Sequence, residues 1–368
     1  MIDGEVSTTR FARLSPWAAR GVLVVLAALV SFGWLLPPSL PQLDRAHGGG
    51  GNLRFYRAVV ERMHRGEPYE TAAVRELRSE HGALKPFVTV RPPLLATMLA
   101  SFRGERAGAI LLALLAVTVL LAWAVTLREF QTGIFQLAAT TLVLFTGVGA
   151  SMAGGGLSLI HEAWSGLLMA LSLAAWANKR VAASMALGLL AAMVRELAMP
   201  YLLVMAVLAL VERRRLEALS FALALAAAVG ALAWHAQAVQ ALVTSTDLTS
   251  AGWVRFSGWR FVLATARWNI IVFVLGAWTT ALIVPLALAG SIGAKNGLGL
   301  RLAGLLLGYT LGFAVIGRPE NIFWGLMTAP LIAVGLCFAP TAIGDLIRSA
   351  VRRPLAPAPM AGKITTGD

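Results

Sequence analysis

VAASMALGLLAAMVRELAMPYLLVMAVLALVERRR, residues 181–215, contains two apolar runs, Val181–Val194 and Leu197–Val211, interrupted only by Arg195-Glu196 and closed by Arg213-Arg214-Arg215. Each run falls short of the ~20 apolar residues that cross a bilayer. A polar pair between two such runs is tolerated only where the backbone is buried in protein or lines a cavity. Adjacent helical residues do not face each other, so Arg195 and Glu196 are each expected to have a different partner. The pair reads either as a phosphate-binding arginine with its supporting carboxylate or as a polar turn capping two helices.

Outward from this stretch the pattern repeats. Gly21–Leu36, Ala107–Leu127, Phe130–Met152, Leu157–Ala177, Leu216–His235, Trp268–Gly290, Leu298–Gly317 and Ile322–Pro340 are further apolar runs. Of the 368 residues, 58% are hydrophobic and 13% charged, against about 25% charged in a soluble domain. The expected fold is all-α: a polytopic transmembrane helix bundle of about ten crossings, spanning residues 21–340. A polar segment, 1–20, precedes it, and a basic, partly disordered tail, 341–368, follows.

The net charge of +13 does not point to nucleic acid. Lys179-Arg180, Arg213–Arg215, Lys295, Arg301 and Arg348 flank apolar runs, as the positive-inside rule requires, and place both termini in the cytoplasm. Basic stripes interleaved with stacking aromatics are lacking. Cys337 is the only cysteine, which excludes an intrachain disulfide and a cysteine metal cage. The five histidines form no HxxxH or HExxH pair, so no metal site is expected.

Residues 38–105 form the one long polar stretch, delivered by the first helix to the outer face. Leu53–Arg65 puts Phe55, Val59 and Met63 on one face, with Asn52 suited to the cap and Gly66 to the stop. Such an amphipathic helix lies on the membrane surface or against the bundle. A second short helix is expected over Thr71–Glu80, ended by Gly82. Arg91-Pro92-Pro93 breaks Phe87–Phe102 too thoroughly for an ordinary span.

Asp44, Glu162, Glu196 and Glu320 all fall at the outer ends of the threaded runs. Carboxylates in or near lipid are costly, so their gathering at one face suggests a site. Glu162, beside His161, is placed about one turn inside its helix, with Ser158 and Ser165 on the same face at i, i+4, i+7 spacing. It reads equally as a functional acid or as an N-terminal carboxylate favoured by the helix dipole. Arg318-Pro319-Glu320-Asn321 is a tight outer turn. Arg318 and Arg91 each read as a phosphate anchor or as an exposed loop charge.

Asp44, then FYRAVVERMHRGEPYE at 55–70 with its Gly66-Glu67-Pro68-Tyr69 end, resembles the opening of the GT-C superfamily of membrane glycosyltransferases. EAWSGLLMALSLAAW at 162–176, residues 181–215, and RPENIFWGLMTAPLIAVGLCFAP at 318–340 resemble later helices of the same proteins. The resemblance implies a bundle with a cavity at the outer leaflet of a bacterial inner membrane. The donor would be a polyprenyl-phosphate-linked sugar. Asp44 would be the general base and Glu162 a second catalytic acid. Tyr56, Arg91, His161, Arg195, Glu196, Arg318 and Glu320 would line the substrate site. Many members carry two acids close together in this loop; here Arg45 follows Asp44, so a divalent cation lacks its paired-acid motif. The alternative is a transporter or flippase for a lipid-linked or anionic solute, using the broken helices at Arg195, or a non-catalytic membrane protein.

Overall fold

The computed structural model describes residues 9–35, 50–128, 134–152 and 156–352. Fifteen α-helices order the described residues: α1 Pro16–Leu35, α2 Gly50–His64, α3 Tyr69–Ser79, α4 Leu94–Ala100, α5 Glu105–Leu127, α6 Ile134–Val148, α7 His161–Ala177, α8 Val181–Val194, α9 Met199–Val211, α10 Arg215–Gln240, α11 Gly258–Thr265, α12 Ile270–Leu275, α13 Thr280–Gly293, α14 Gly297–Val315 and α15 Gly325–Val351. Extended backbone among them pairs only as isolated bridges, such as Lys85 with Thr249. The chain is thus an all-α bundle. Six helical stretches are long and apolar enough to cross a membrane.

The long helices alternate between two ends. At one end Thr9 N–H donates to Asp345 (2.6 Å) and Ser349 to the Phe11 carbonyl (2.9 Å), joining the two ends of the described chain. The α7–α8, α9–α10 and α13–α14 turns lie at this terminal end. The opposite end is rich in loops and carries α2, α3, α4 and α11. The three capping helices α2–α4 enclose a small core of their own, built on Val59, Tyr69, Ala73, Val74 and Leu84, and it closes on Val239 of α10.

Glycine sets the closest helix approaches. A Cβ on Gly166 of α7 would come within 2.3 Å of the Leu326 carbonyl, and one on Gly147 of α6 within 2.4 Å of the Ala329 carbonyl. One on Gly290 of α13 would reach 2.2 Å from the Gly335 carbonyl. All three neighbours therefore seat against α15, the most enclosed of the long helices. Membrane helices pack this way because lipid offers them no hydrophobic drive to associate, leaving van der Waals fit to do it.

Several expectations are corrected. Trp268–Gly290 is not one helix: α12 ends at Gly276 (φ 100°), a left-handed position suited to glycine, and α13 begins four residues later. Leu157–Ala177 is also broken, a 3-10 turn at Leu157–Leu159 giving way through extended Ile160 to α7. The expected loop Gln237–Arg267 contains α11. Helix α2 starts at Gly50, which places Asn52 inside its first turn. Helix α3 ends at Ser79, with His81 rather than Gly82 taking positive φ. The expected boundary at 340/341 falls inside α15, which runs through Pro340 to Val351; residues 353–368 lie outside the described chain.

Candidate functional site

Where α8 meets α9 the chain leaves helical geometry for one residue. Arg195 is extended (φ −147°, ψ 116°), followed by a 3-10 turn, Glu196–Ala198. This conformation overturns the expectation that Arg195 and Glu196 point apart. Freed from helical spacing, Arg195 donates through Nη1 to its neighbour Glu196 and through Nε to Glu162 Oε1 of α7 (2.8 Å). The guanidinium is 1% exposed. Fourteen residues of α8 rise only about 21 Å, so the break lies well inside a bundle whose longest helices exceed 30 Å.

The capping layer delivers the rest. Arg91 sits in extended chain ahead of α4, and its Nη1 lies 3.9 Å from Glu196 Oε1. Arg91 also faces the Tyr56 hydroxyl of α2. Tyr56 packs against His161, the first residue of α7, with ring centroids 5.0 Å apart. Residues from four separate places in the sequence (Tyr56, Arg91, His161-Glu162 and Arg195-Glu196) therefore form one group. Its formal charges balance, two guanidiniums against two carboxylates. Both ring nitrogens of buried His161 and the Glu196 Oε2 atom have no hydrogen-bond partner. An unpaired buried polar atom is expensive, and such atoms collect where a ligand completes them.

Arg91 is held by two further residues. Tyr69 donates its hydroxyl to the Arg91 carbonyl (2.7 Å). His235 of α10 bonds the adjacent Val90 carbonyl through Nε2 (3.2 Å), while its Nδ1 stands 3.6 Å from Glu70 Oε1. None of Tyr69, Glu70 or His235 was expected at the site, although Tyr69 closes the Gly66–Tyr69 motif. A cavity of about 160 Å³ is bordered by the same α2 and pre-α7 segments, with Arg57, Val60, His64, Arg103 and Ser158 among its lining.

Other expected members lie elsewhere. Arg318 pairs with Glu320 (2.8 Å), donates to the Ala251 carbonyl (3.2 Å) and stacks over Trp253 at 5.6 Å, pinning the α10–α11 loop. Its described contacts include no member of the Arg195 group. Ser158 lies on the turn before α7, so the expected stripe with Glu162 and Ser165 does not form; Ser165 instead donates to the Ala191 carbonyl (2.7 Å). Asp44 lies outside the described residues. Among those described, no trio of His, Cys, Asp or Glu is placed to hold a metal ion.

No protein-family model matches the chain, and no match is found among curated proteins or solved structures.

Proposed function

We propose that the chain is a glycosyltransferase-like protein of the bacterial inner membrane, moving a sugar from a polyprenyl-phosphate carrier to an acceptor at the periplasmic face. The observation that carries this reading is the pair of arginines, Arg91 and Arg195, meeting around Glu196 beneath the capping helices. Planar guanidiniums suit the oxygens of a lipid phosphate. The loop-rich end is assigned to the periplasm because Lys179-Arg180 and Arg213–Arg215 occupy turns at the terminal end.

In this reading Asp44 takes the proton of an acceptor hydroxyl. That oxygen bonds the anomeric carbon while the carbon–oxygen bond to the carrier phosphate breaks. Arg91 and Arg195 receive the charge that develops on the departing phosphate. Glu162, bound to Arg195 Nε, acts by holding that guanidinium in place. Membranes containing the protein and a polyprenyl-phosphate sugar test the reading. Asp44→Asn should slow transfer by about 10²–10⁴-fold, the range of general-base help. Undiminished transfer by Asp44→Asn or by Arg91→Ala overturns it.

A second reading has one observation in its favour, the interrupted α8–α9 pair, a construction that transporters use for solute sites. Movement of an anionic solute across proteoliposomes, stopped by Arg195→Ala and indifferent to Asp44→Asn, would establish it.

A further inference from the structure

The charge count of the Arg91–Arg195 group constrains what it can bind. Glu162 and Glu196 already neutralise Arg91 and Arg195, and all four side chains are largely enclosed, with exposures of 7%, 14%, 21% and 1% in that order. An anion added to a neutral, enclosed group leaves one uncompensated charge, which a low-dielectric setting strongly opposes. A positive charge must arrive with it. The group most suited to supply that charge is His161. Its ring is 1% exposed, and imidazole is the side chain whose ordinary titration lies nearest neutrality.

The groups facing this ring are Tyr56 from α2, Arg91 from the chain ahead of α4, Glu162 beside it on α7, and Arg195 with Glu196 from the α8–α9 break. Without a ligand, an imidazolium here would be cut off from water, with no acceptor for either N–H and with the nearby guanidiniums and carboxylates already offsetting one another. The resting ring is therefore neutral. An anionic oxygen placed among Arg91, Arg195 and His161 reverses that balance, because it accepts from the ring and offsets its charge.

We infer that this group of side chains binds a singly charged phosphodiester together with one proton, lodged on His161. This deepens the proposed carrier-phosphate site and rests on it. The ligand class follows from the count: one proton compensates one negative charge, which fits a phosphodiester better than a doubly charged monoester.

Calorimetric titration of the full chain in nanodiscs with a short-chain polyprenyl phosphodiester tests this, run in buffers of different ionisation heat. The diester does not itself titrate between pH 6 and 9, so any proton taken up belongs to the protein. Uptake of about one proton per ligand is expected, with affinity falling about tenfold per pH unit on the alkaline side, the slope that one linked proton imposes. His161→Gln should bind more weakly, without proton uptake and without that slope. Glu196→Gln removes one negative charge and should bind the diester with no proton at all, so the inference stays testable even if His161→Gln fails to fold. Binding by the unaltered protein without proton uptake, or binding that needs an added divalent cation instead, overturns the inference and leaves the carrier site standing. The same holds for undiminished proton uptake in His161→Gln. Failure of the unaltered protein to bind the diester at any pH overturns both.

Discussion

Two ends of this bundle each bury an arginine between two glutamates, and they differ in how much is left over. At the terminal end Arg301, fully buried in α14, donates to both oxygens of Glu212 (2.7 and 3.0 Å) and to Glu217 Oε1 (3.0 Å). Its guanidinium lies 3.7 Å from the Trp176 ring centroid, and the Trp176 indole donates to Glu217 (2.7 Å). Arg214 brings the second positive charge, 3.2 Å from Glu217 Oε2. Both glutamates are engaged through both oxygens. At the loop-rich end Arg195 has the same two-carboxylate arrangement, yet Glu196 Oε2 and the whole His161 ring remain unmatched. In the first arrangement only the Arg301 Nε lacks a partner and no acceptor is left open, and it ties α7, α10 and α14 together. The second has bonding capacity to spare, and so is the candidate site.

The sharpest way to break this contrast is to remove the arginines one at a time. Arg301→Ala leaves Glu212 and Glu217 without their buried partner and should cost about 3–5 kcal/mol of stability, read as a large fall in the thermal midpoint. Arg195→Ala should abolish ligand handling with a smaller fall, because Arg91 stands beside Glu196 and still offsets part of the freed charge. Equal thermal losses in the two variants would erase the distinction.

Next in size is the helix that both groups share. Gly166 sits on α7 between Glu162 and Trp176 and presses on the α15 backbone. Gly166→Leu should cost about 1–3 kcal/mol by overpacking and disturb both ends, measured by unfolding together with ligand binding. Tyr69→Phe is a finer probe. It removes the bond to the Arg91 carbonyl and should cost about 1 kcal/mol, with weakened binding at the loop-rich end and an intact terminal end.

The smallest effect is confined to the surface. Arg78 and Thr244 hold the Asp247 carboxyl well below its ordinary range, linking α3 to the loop after α10. A depressed carboxylate stabilises the fold fully above its unfolded value, about 3.9. That help is lost as pH falls toward the folded value. Amide protection across 241–250, taken relative to the intrinsic exchange rate at each pH, should fall below about pH 4 and should not change with pH in Asp247→Asn.

The helical alternation was legible in the sequence, since lipid-facing helices must be apolar and the basic turns mark their ends. So was the break at Arg195-Glu196, because charge between two apolar runs demands an explanation. The Arg195–Glu196 contact was not legible. It depends on one residue adopting an extended conformation, which helical spacing rules do not anticipate. Arg301 looked like another turn cation; only tertiary packing reveals that its side chain folds back over Trp176. Tyr69 and His235 also escaped notice, because they act through backbone carbonyls of Val90 and Arg91, and such bonds leave no trace in residue type. Glu320 shares the outer-end position of Glu162 but is committed to Arg318, which shows that lying at the same level of the bundle does not place two acids in one group.

The brevity of α8 and α9 has a consequence beyond the protein. Their outward side chains, including Leu190, Met193, Leu203, Val207 and Leu210, are exposed and apolar, yet each helix rises only about 20 Å against a hydrocarbon layer of about 30 Å. A bilayer that thins to match them would draw its headgroup plane down toward the level of Arg195. Under the proposed function, such a dimple would let the carrier's phosphate approach from the side without leaving its leaflet.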